Sequence, residues 1–310
     1  MSGRIVSIMS QAVQAAKKSG SIIRNLFQEG KWGIVNKGKN DLQTEADRSA
    51  QRCIMASLKK RYPKVTMIGE EELDSSQVPE DWIELSQSEE VLSTADRLPD
   101  KLKNVTDDQI IIWIDPLDGT AEYTQGLLDH VTVLIGVTVN GEAVGGVIYQ
   151  PYFNYKAGPD AELGRTIWGI VGVGAYGIPQ PTVPPSTGRI ITTTRSHSSG
   201  SVKAAVDSCE PTEVIKVGGA GHKVLLLIEG KAHAYVFASP GCKKWDTAAP
   251  EAVLKAAGGK LTDIRGVNIP YEVNVPRRNS SGVLATCLES EHTWYLNKIP
   301  DEVKNDLKAD

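Results

Sequence analysis

Two carboxylates and a hydroxyl group directly follow a strongly apolar segment. Residues 110–114 contain four isoleucines and a tryptophan, and Asp115, Asp118 and Thr120 come next. The apolar run predicts a buried strand, which we expect Pro116 to end because proline cannot donate to a sheet ladder. Carboxylates held together at low dielectric repel one another unless a cation lies between them, and hard oxygen ligands favour Mg²⁺. The segment therefore predicts a magnesium site at the mouth of a buried strand.

The same residues also have a purely structural interpretation. Asp118 and Gly119 are typical turn residues, and Thr120 could cap a following helix. A strand–turn–helix corner would use this sequence too. Each residue alone favours that corner, whereas the combination favours a site.

Further carboxylates stand where other predicted elements begin or end. Glu70 opens a run of three glutamates after a predicted strand at 65–68, although such runs are usually solvated loops. Asp47 lies three residues after Thr44 at the start of a predicted helix, and this spacing alone favours a capping box. Asp246 begins another predicted helix, where its simplest role is that of N-cap.

Glycine-rich segments indicate where an anion could bind. Residues 218–221 precede a predicted helix, so their backbone N–H groups suit a phosphate, but they do not match the loop of nucleoside triphosphatases. Lys223 either pairs with that anion or is a surface lysine, and residues 194–197 form either a polar corner or a ligand site. Residues 172–177 match a dinucleotide pattern, but prolines follow instead of a helix, which favours a hairpin turn.

Composition restricts the class of protein. The chain has 310 residues, of which 40% are hydrophobic and 23% charged, and a formal net charge of −4. These values are typical of a soluble globular protein and argue against binding to nucleic acid or an anionic membrane. The sequence lacks an apolar run of the ~20 residues that span a bilayer, a signal-peptide pattern and a CxxC pair. We expect a cytoplasmic monomer with reduced thiols.

The order of predicted helices and strands differs between the two halves of the chain. Helices at 5–27 and 47–62 and a strand hairpin at 131–149 precede a proline-rich segment at 178–188. Strands and helices alternate after it, which predicts an α/β fold.

Three of the acidic segments form a combined signature. Gly69-Glu70-Glu71, residues 113–120 and Trp245-Asp246 follow one another in this order. Together they resemble the signatures of the lithium-sensitive, magnesium-dependent phosphomonoesterases, the inositol monophosphatase superfamily. The animal bisphosphate nucleotidase branch is the most similar, on segments that cover nearly the whole chain: 41–47, 158–160, 164–169, 192–198, 217–221 and 235–246. The resemblance implies an α/β fold of the layered αβαβα sandwich type.

The resemblance also implies a role for individual residues. The metal ligands are the carboxylates of Glu70, Asp115, Asp118 and Asp246 and the backbone carbonyl of Leu117. Asp47 and Thr120 position and deprotonate the attacking water, a role that replaces the capping interpretation of Asp47. The residues that hold the nucleotide are Thr194, His197, Gly219 and Lys223. Cofactors implied in the same way are two or three Mg²⁺ ions, with Li⁺ as an inhibitor.

Two residues depart from the pattern of the superfamily. Ala121 stands where lysine is expected, and His222 stands where asparagine is expected. The first removes a cation beside the metal centre and the second adds an imidazole near the substrate, but neither removes a metal ligand. The proline-rich segment predicts a boundary between an N-terminal α+β lobe, 1–180, and a C-terminal α/β lobe, 181–310, in one continuous unit. With the roles that the resemblance implies, the first lobe holds the metal site and the second the nucleotide pocket.

The implied activity is removal of the 3'-phosphate from 3'-phosphoadenosine 5'-phosphate, which gives AMP and phosphate. The implied substrates extend to 3'-phosphoadenosine 5'-phosphosulfate and inositol 1,4-bisphosphate. One alternative is an inositol (poly)phosphate 1-phosphatase with the same metals; the long segment 73–108 and residues 194–197 argue against a plain monophosphatase. A second alternative is a non-catalytic nucleotide sensor, against which the intact set of carboxylates argues.

Overall fold

The computed structural model describes most of the chain. The described residues are 3–38, 41–73, 77–158, 160–178, 184, 187–196 and 199–307. His197 and most of the proline-rich segment therefore lie outside the described residues, and the division into lobes near residue 180 stays a prediction.

The helices and strands follow the predicted order. The helices are α1 (Arg4–Gln28), α2 (Glu45–Arg61), α3 (Glu89–Leu92), α4 (Asp100–Lys103), α5 (Thr120–Thr124), α6 (Gly200–Ser208), α7 (Ala220–Ile228), α8 (Lys244–Ala256), α9 (Glu289–Lys298) and α10 (Asp301–Asp306). The strands are β1 (Val35–Gly38), β2 (Asp41–Gln43), β3 (Thr66–Gly69), β4 (Ile110–Asp118), β5 (Thr132–Val139), β6 (Glu142–Gln150), β7 (Arg165–Ile170), β8 (Gly174–Tyr176), β9 (Ile190–Thr194), β10 (Glu213–Val217), β11 (Ala234–Phe237), β12 (Lys260–Thr262) and β13 (Val283–Thr286). Short 3₁₀ helices occur at Glu80–Trp82, Ala95–Arg97, Asp107–Gln109 and Leu128–His130.

The described residues form two large sheets and a small two-stranded sheet of β1 and β2. The six-stranded sheet has the order β3-β4-β5-β6-β7-β8, and the five-stranded sheet has the order β10-β9-β11-β13-β12. Helices α1 and α2 pack on the first sheet, while α8 contacts both the first sheet and β12 of the second. In the second sheet, the crossovers through α6 and α7 run in opposite directions, so the right-handed rule places these helices on opposite faces. The result is the predicted αβαβα layering.

Strand β4 lies in the middle of this arrangement and is buried on both faces. Ile110, Ile112 and Ile114 pack into the core beneath α1 and α2, whereas Ile111 and Trp113 pack into the core that contains α8. Burial on both faces explains why the segment is continuously apolar instead of alternating.

A row of glycines brings α8 directly onto the first sheet. Gly136, Gly146 and Gly169 lie opposite one another in the registers of β5, β6 and β7. A Cβ added to Gly146 would lie 2.3 Å from the backbone oxygen of Ala249, and one added to Gly136 would lie 2.6 Å from the Cβ of Ala248. The helix that carries Asp246 is therefore seated against strand backbone.

Two local predictions are wrong. Strand β4 does not end at Pro116 but continues to Asp118, because its pairing with β5 shifts register between Asp115 and Asp118. Pro116 lies in this irregular stretch, where a missing backbone N–H is tolerated. The N-cap of α5 is Gly119, with φ +93°, and not Thr120.

Other local predictions are confirmed. Asn140 and Gly141, with φ values of 49° and 80°, form the turn between β5 and β6. The glycine-rich residues 172–177 belong to the hairpin of β7 and β8. The four cysteines are free thiols. Among the described residues, none of the helices has both the length and the apolar character that crossing a bilayer requires.

A buried histidine makes the stability of the fold depend on pH. His292 is 3% exposed, with its two ring nitrogens 2.8 and 3.1 Å from the hydroxyl oxygens of Thr262 and Thr286. Burial lowers its pKa from 6.5 to about 4. The unfolded chain binds this proton more tightly, so the stabilisation is complete above about pH 6.5 and is lost as the pH falls toward 4. We expect protonation of His292 to lower the free energy of unfolding by about 2 kcal/mol when the pH falls from about 7.5 to about 5.

Urea denaturation of wild type and of His292→Gln at about pH 7.5 and about pH 5 measures the contribution of His292 to this pH dependence. Other groups contribute equally to both proteins, so the free energy of unfolding of the variant should fall less on acidification. Identical pH dependences would contradict a neutral buried His292.

Candidate metal and catalytic site

Acidic side chains converge at one edge of the six-stranded sheet. Strand β3 pairs in parallel with β4, so the chain leaves both strands at the same edge. Glu70 follows β3 and its N–H donates to the carbonyl of Ile114 at 3.0 Å, which places it beside Asp115. Asp118 ends β4, and Asp246 lies in the first turn of α8. The four predicted ligand carboxylates thus come from three segments that are distant in sequence.

Crowding and burial shift the pKa values of these carboxyl groups. Burial, with the charge of Asp246 next, raises the pKa of Glu70 to about 8. Burial and the neighbouring Glu70 and Asp118 raise the pKa of Asp115 well above its usual range, and Glu70 also contributes a side-chain hydrogen bond. Burial, with the charge of Asp118, raises the pKa of Asp246 to about 6. It is therefore unfavourable for all four carboxyl groups to be ionised at once. A bound cation would offset the repulsion between their charges.

The donor set fits magnesium chemically. Carboxylate and carbonyl oxygens are the hard ligands that Mg²⁺ prefers. Among the described residues, no group of three or more His, Cys, Asp and Glu side chains is arranged closely enough to hold a metal ion as it stands. Donor chemistry and the mutual repulsion of the carboxylates, and not a preformed cluster, are therefore what favours a cation at this corner.

Asp118 also anchors the beginning of helix α7. Its Oδ1 accepts the N–H of Ala220 at 2.8 Å, and its Oδ2 accepts the N–H of Gly221 at 2.8 Å and the hydroxyl of Thr132 at 2.7 Å. A carboxylate at a helix N-terminus is favourable. Oδ1 keeps a lone pair for a further ligand.

The sequence predicted that the backbone N–H groups of residues 218–221 are free to bind a phosphate, and this is wrong for three of the four. Ala220 and Gly221 donate to Asp118, and Gly218 donates to Nδ1 of His130 at 3.3 Å. The turn thus contacts the acidic corner itself instead of presenting all its N–H groups to solvent.

The contacts of Asp47 are compatible with both of its predicted roles. Its Oδ2 accepts the N–H of Thr44 at 2.7 Å and completes the capping box of α2. Its Oδ1 accepts the hydroxyl of Thr120 at 3.0 Å, and the same hydroxyl oxygen lies 3.1 Å from the carbonyl oxygen of Leu117. Burial raises the pKa of Asp47 to about 6. A carboxylate with a pKa near neutral is suited to general-base work.

Asp246 is not the N-cap of α8, contrary to the simplest interpretation of its position. The N-cap is Lys243, and Asp246 is the third helical residue, whose Oδ2 accepts the N–H of Lys243 at 2.7 Å. This hydrogen bond fixes the carboxylate at the beginning of the helix that the glycine row seats on the sheet.

Three of the predicted substrate residues lie beside the acidic corner. Thr194 ends β9 and pairs in register with Val217 of β10, directly before the turn that contains Gly219. Lys223 is 5% exposed, and its Nζ donates to the carbonyl of Gly219 at 2.9 Å. Burial lowers the pKa of Lys223, while Asp118 raises it. His197 lies outside the described residues.

His222, one of the two departures, stacks on His130. The ring centroids are 4.8 Å apart with an interplanar angle of 28°. Burial lowers the pKa of His222 to about 3, with His130 as the next cause. His222 is therefore an uncharged aromatic group beside the glycine-rich turn at neutral pH.

Sequence reasoning missed several side chains at this edge. Nζ of Lys37 forms ion pairs with Oε1 of Glu71 at 2.9 Å and with Oε1 of Glu70 at 3.5 Å. Thr132 donates to Asp118 from the opposite strand. The run of glutamates was a signal for Glu71, whereas nothing in the sequence marks Lys37 or Thr132.

Comparisons with known proteins identify the family and the fold. The sequence model of the inositol monophosphatase family matches residues 6–303. The chain is 51% identical over 304 residues to human 3'(2'),5'-bisphosphate nucleotidase 1, covering 98% of this chain and 97% of the relative. It is 30% identical to the mouse Golgi-resident adenosine 3',5'-bisphosphate 3'-phosphatase, covering 96% and 82%. The crystal structure of extragenic suppressor protein suhB from Bartonella henselae matches with a TM-score of 0.69 and 22% identity, covering 94% and 98%.

Proposed function

Because the chain belongs to the inositol monophosphatase family, we propose that it is a magnesium-dependent 3'(2'),5'-bisphosphate nucleotidase. It is a phosphoric monoester hydrolase that removes the 3'-phosphate of 3'-phosphoadenosine 5'-phosphate and gives AMP and phosphate. The full-length identity to the human relative supports this substrate class. The observation that carries the proposal is the convergence of four carboxylates beside the Asp47–Thr120 pair and Lys223.

We assign the metal ligands to Glu70, Asp115, Asp118, Asp246 and the carbonyl of Leu117. Magnesium ions bound there would supply Lewis-acid chemistry, by activating water and neutralising charge on the phosphate ester. The mutual rise of the carboxyl pKa values supports the assignment, since bound cations would stabilise all four charges together.

The chain itself supplies the base. Thr120 donates its proton to Oδ1 of Asp47, so its oxygen can accept a proton from the attacking water. As the water oxygen bonds to phosphorus, its proton passes to Thr120 and the hydroxyl proton passes to Asp47. The bond between phosphorus and the 3'-oxygen breaks, its electron pair stays on the 3'-oxygen, and a proton from solvent water converts that oxygen to the hydroxyl of AMP. Asp47 ends protonated and returns its proton to solvent, which restores the base. The capping box holds the carboxylate in place throughout.

The nucleotide is assigned to the neighbouring side of the site. Thr194 ends β9, Gly219 lies in the turn after the adjacent parallel strand β10, and Lys223 places a buried cation near Asp118. We assign them, together with His197, to binding of the bisphosphate. The remaining proposals are two or three Mg²⁺ ions, competition by Li⁺ as another small hard cation, and a cytoplasmic monomer.

A substrate panel tests the proposed function. We expect phosphate release from 3'-phosphoadenosine 5'-phosphate that requires Mg²⁺, is inhibited by Li⁺, and exceeds release from inositol 1-phosphate by at least about tenfold in kcat/KM. Inositol 1,4-bisphosphate and 3'-phosphoadenosine 5'-phosphosulfate complete the panel. A preference for an inositol phosphate would contradict the nucleotidase assignment. Binding of the bisphosphate without hydrolysis in saturating Mg²⁺ would identify a sensor instead.

A further inference from the structure

Glu122 is a buried carboxylate that the proposed metal and catalytic sets do not use. It lies in α5, four residues after Asp118, and its side chain is 4% exposed. Burial raises its pKa, and its Oε1 has no hydrogen-bond partner among the described residues. The closest approach to a cation is 3.7 Å, from Oε1 to Nε of Arg195. A buried charge with incomplete hydrogen bonding is unfavourable for stability. Stability therefore does not explain why a carboxylate occupies position 122.

The carboxylate lies between two segments of the C-terminal half of the chain. A Cβ added to Gly218 would lie 2.0 Å from Cδ of Glu122 and 2.2 Å from its Oε1, so the turn packs its bare backbone against the acid. Arg195, on the other side, also donates to Gln125, one turn further along the chain. The N–H of Arg195 donates to the carbonyl of Val217 at 3.2 Å, which joins the two segments.

These two segments carry the residues assigned to the substrate. Arg195 follows Thr194, and Gly218 precedes Gly219. Glu122, in contrast, is tied through one short helix to the corner that carries Asp118. A shift of Glu122 would therefore change the position of the substrate residues relative to the acidic corner.

We propose that Glu122 is a positioning residue whose charge holds Arg195 and the Gly218 turn against the metal corner, so that Thr194 and Gly219 face the bisphosphate. This inference rests on the proposed function. It concerns substrate affinity and not the proton transfer, because Glu122 lies outside the Asp47–Thr120 pair. Stability alone would be served as well by an uncharged side chain of the same shape.

Glu122→Gln tests the inference, since it keeps the shape and removes the charge. We expect KM for 3'-phosphoadenosine 5'-phosphate and the calorimetric Kd for AMP in Mg²⁺ to rise about tenfold, with kcat within about threefold of wild type. The urea midpoint should stay equal or increase, because a desolvated charge is gone. Arg195→Met should raise KM similarly, and the double variant should be no worse than Arg195→Met alone. Asp129→Asn is the matched control, since Asp129 pairs with Lys156 at the surface, and we expect wild-type values for it.

The outcomes separate the two proposals. If wild type neither hydrolyses the bisphosphate nor binds AMP, the proposed function fails and this inference fails with it. If wild type is active and Glu122→Gln has the same KM and Kd, only the positioning role is overturned. A variant that loses stability and kcat with KM unchanged would also overturn it, because that pattern indicates a general structural role.

Discussion

Replacing Asp118 with alanine should reduce magnesium-dependent phosphate release by at least about a thousandfold, the scale of losing a group that stabilises transition-state charge. The substitution removes a proposed metal ligand. It also leaves the N–H groups of Ala220 and Gly221 without the acceptor they have at 2.8 Å. We therefore expect weaker AMP binding as well, and no recovery at high magnesium. Steady-state phosphate release from 3'-phosphoadenosine 5'-phosphate over a magnesium series is the measurement.

Thr132→Val is the graded control for Asp118→Ala. It removes a single hydroxyl donor, 2.7 Å from Oδ2, and keeps the carboxylate and the side-chain shape. We expect a loss of about tenfold or less, since one hydrogen bond to a charged group is involved. Circular dichroism of both variants should match wild type. An Asp118→Ala enzyme that is correctly folded and releases phosphate at the normal rate would refute the site.

Local patterns in the sequence were sufficient for most elements of the fold. The stripe at Ile5, Met9, Ala12 and Val13 predicted an amphipathic helix, and all four side chains are buried in α1. The turn at residues 140–141 was predicted from two residues that tolerate positive φ. These features depend on neighbours within a few residues, so one sequence contains their causes.

Features that depend on strand pairing or on one hydrogen bond were not predictable in the same way. Pro116 looks like a strand end, but the register shift against β5 accommodates it. Asp246 is a residue type typical of an N-cap, yet it lies three residues after the N-cap Lys243, whose N–H donates to it. Such details need the partner segment, which periodicity does not identify.

The candidate site likewise contains some features that the sequence predicted and others that it could not predict. Residue types at Asp115 and Asp118 predicted an acidic corner, but only parallel pairing of β3 with β4 brings Glu70 to it. The spacing of Asp47 favoured capping, and its catalytic role came from the family resemblance alone. The two proposed roles are compatible, because the two carboxylate oxygens have different partners. Glu122 had no sequence signal, since its contacts are with residues about 70 to 100 positions away.

Substitution within the glycine row should have the largest effect on the stability of the fold. In Gly146→Ala the new Cβ would meet the backbone oxygen of Ala249 at 2.3 Å, with the Cα of the same residue at 2.9 Å. A helix backbone cannot rotate aside as a side chain can, so α8 has to move away from the sheet. Overpacking of this kind costs about 3 kcal/mol. Urea denaturation should show this loss in the free energy of unfolding.

The same displacement should reach the chemistry, because α8 begins with the turn that carries Asp246. We expect Gly146→Ala to need more magnesium for half-maximal phosphate release, even at temperatures where it remains folded. Gly200→Ala is the control: an added Cβ there meets nothing within 4 Å, and the residue opens α6 with an ordinary negative φ. Alanine there should leave stability unchanged or raise it by a few tenths of a kcal/mol. Equal stability and magnesium dependence in the two variants would mean that close contact with Gly146 does not determine the position of α8.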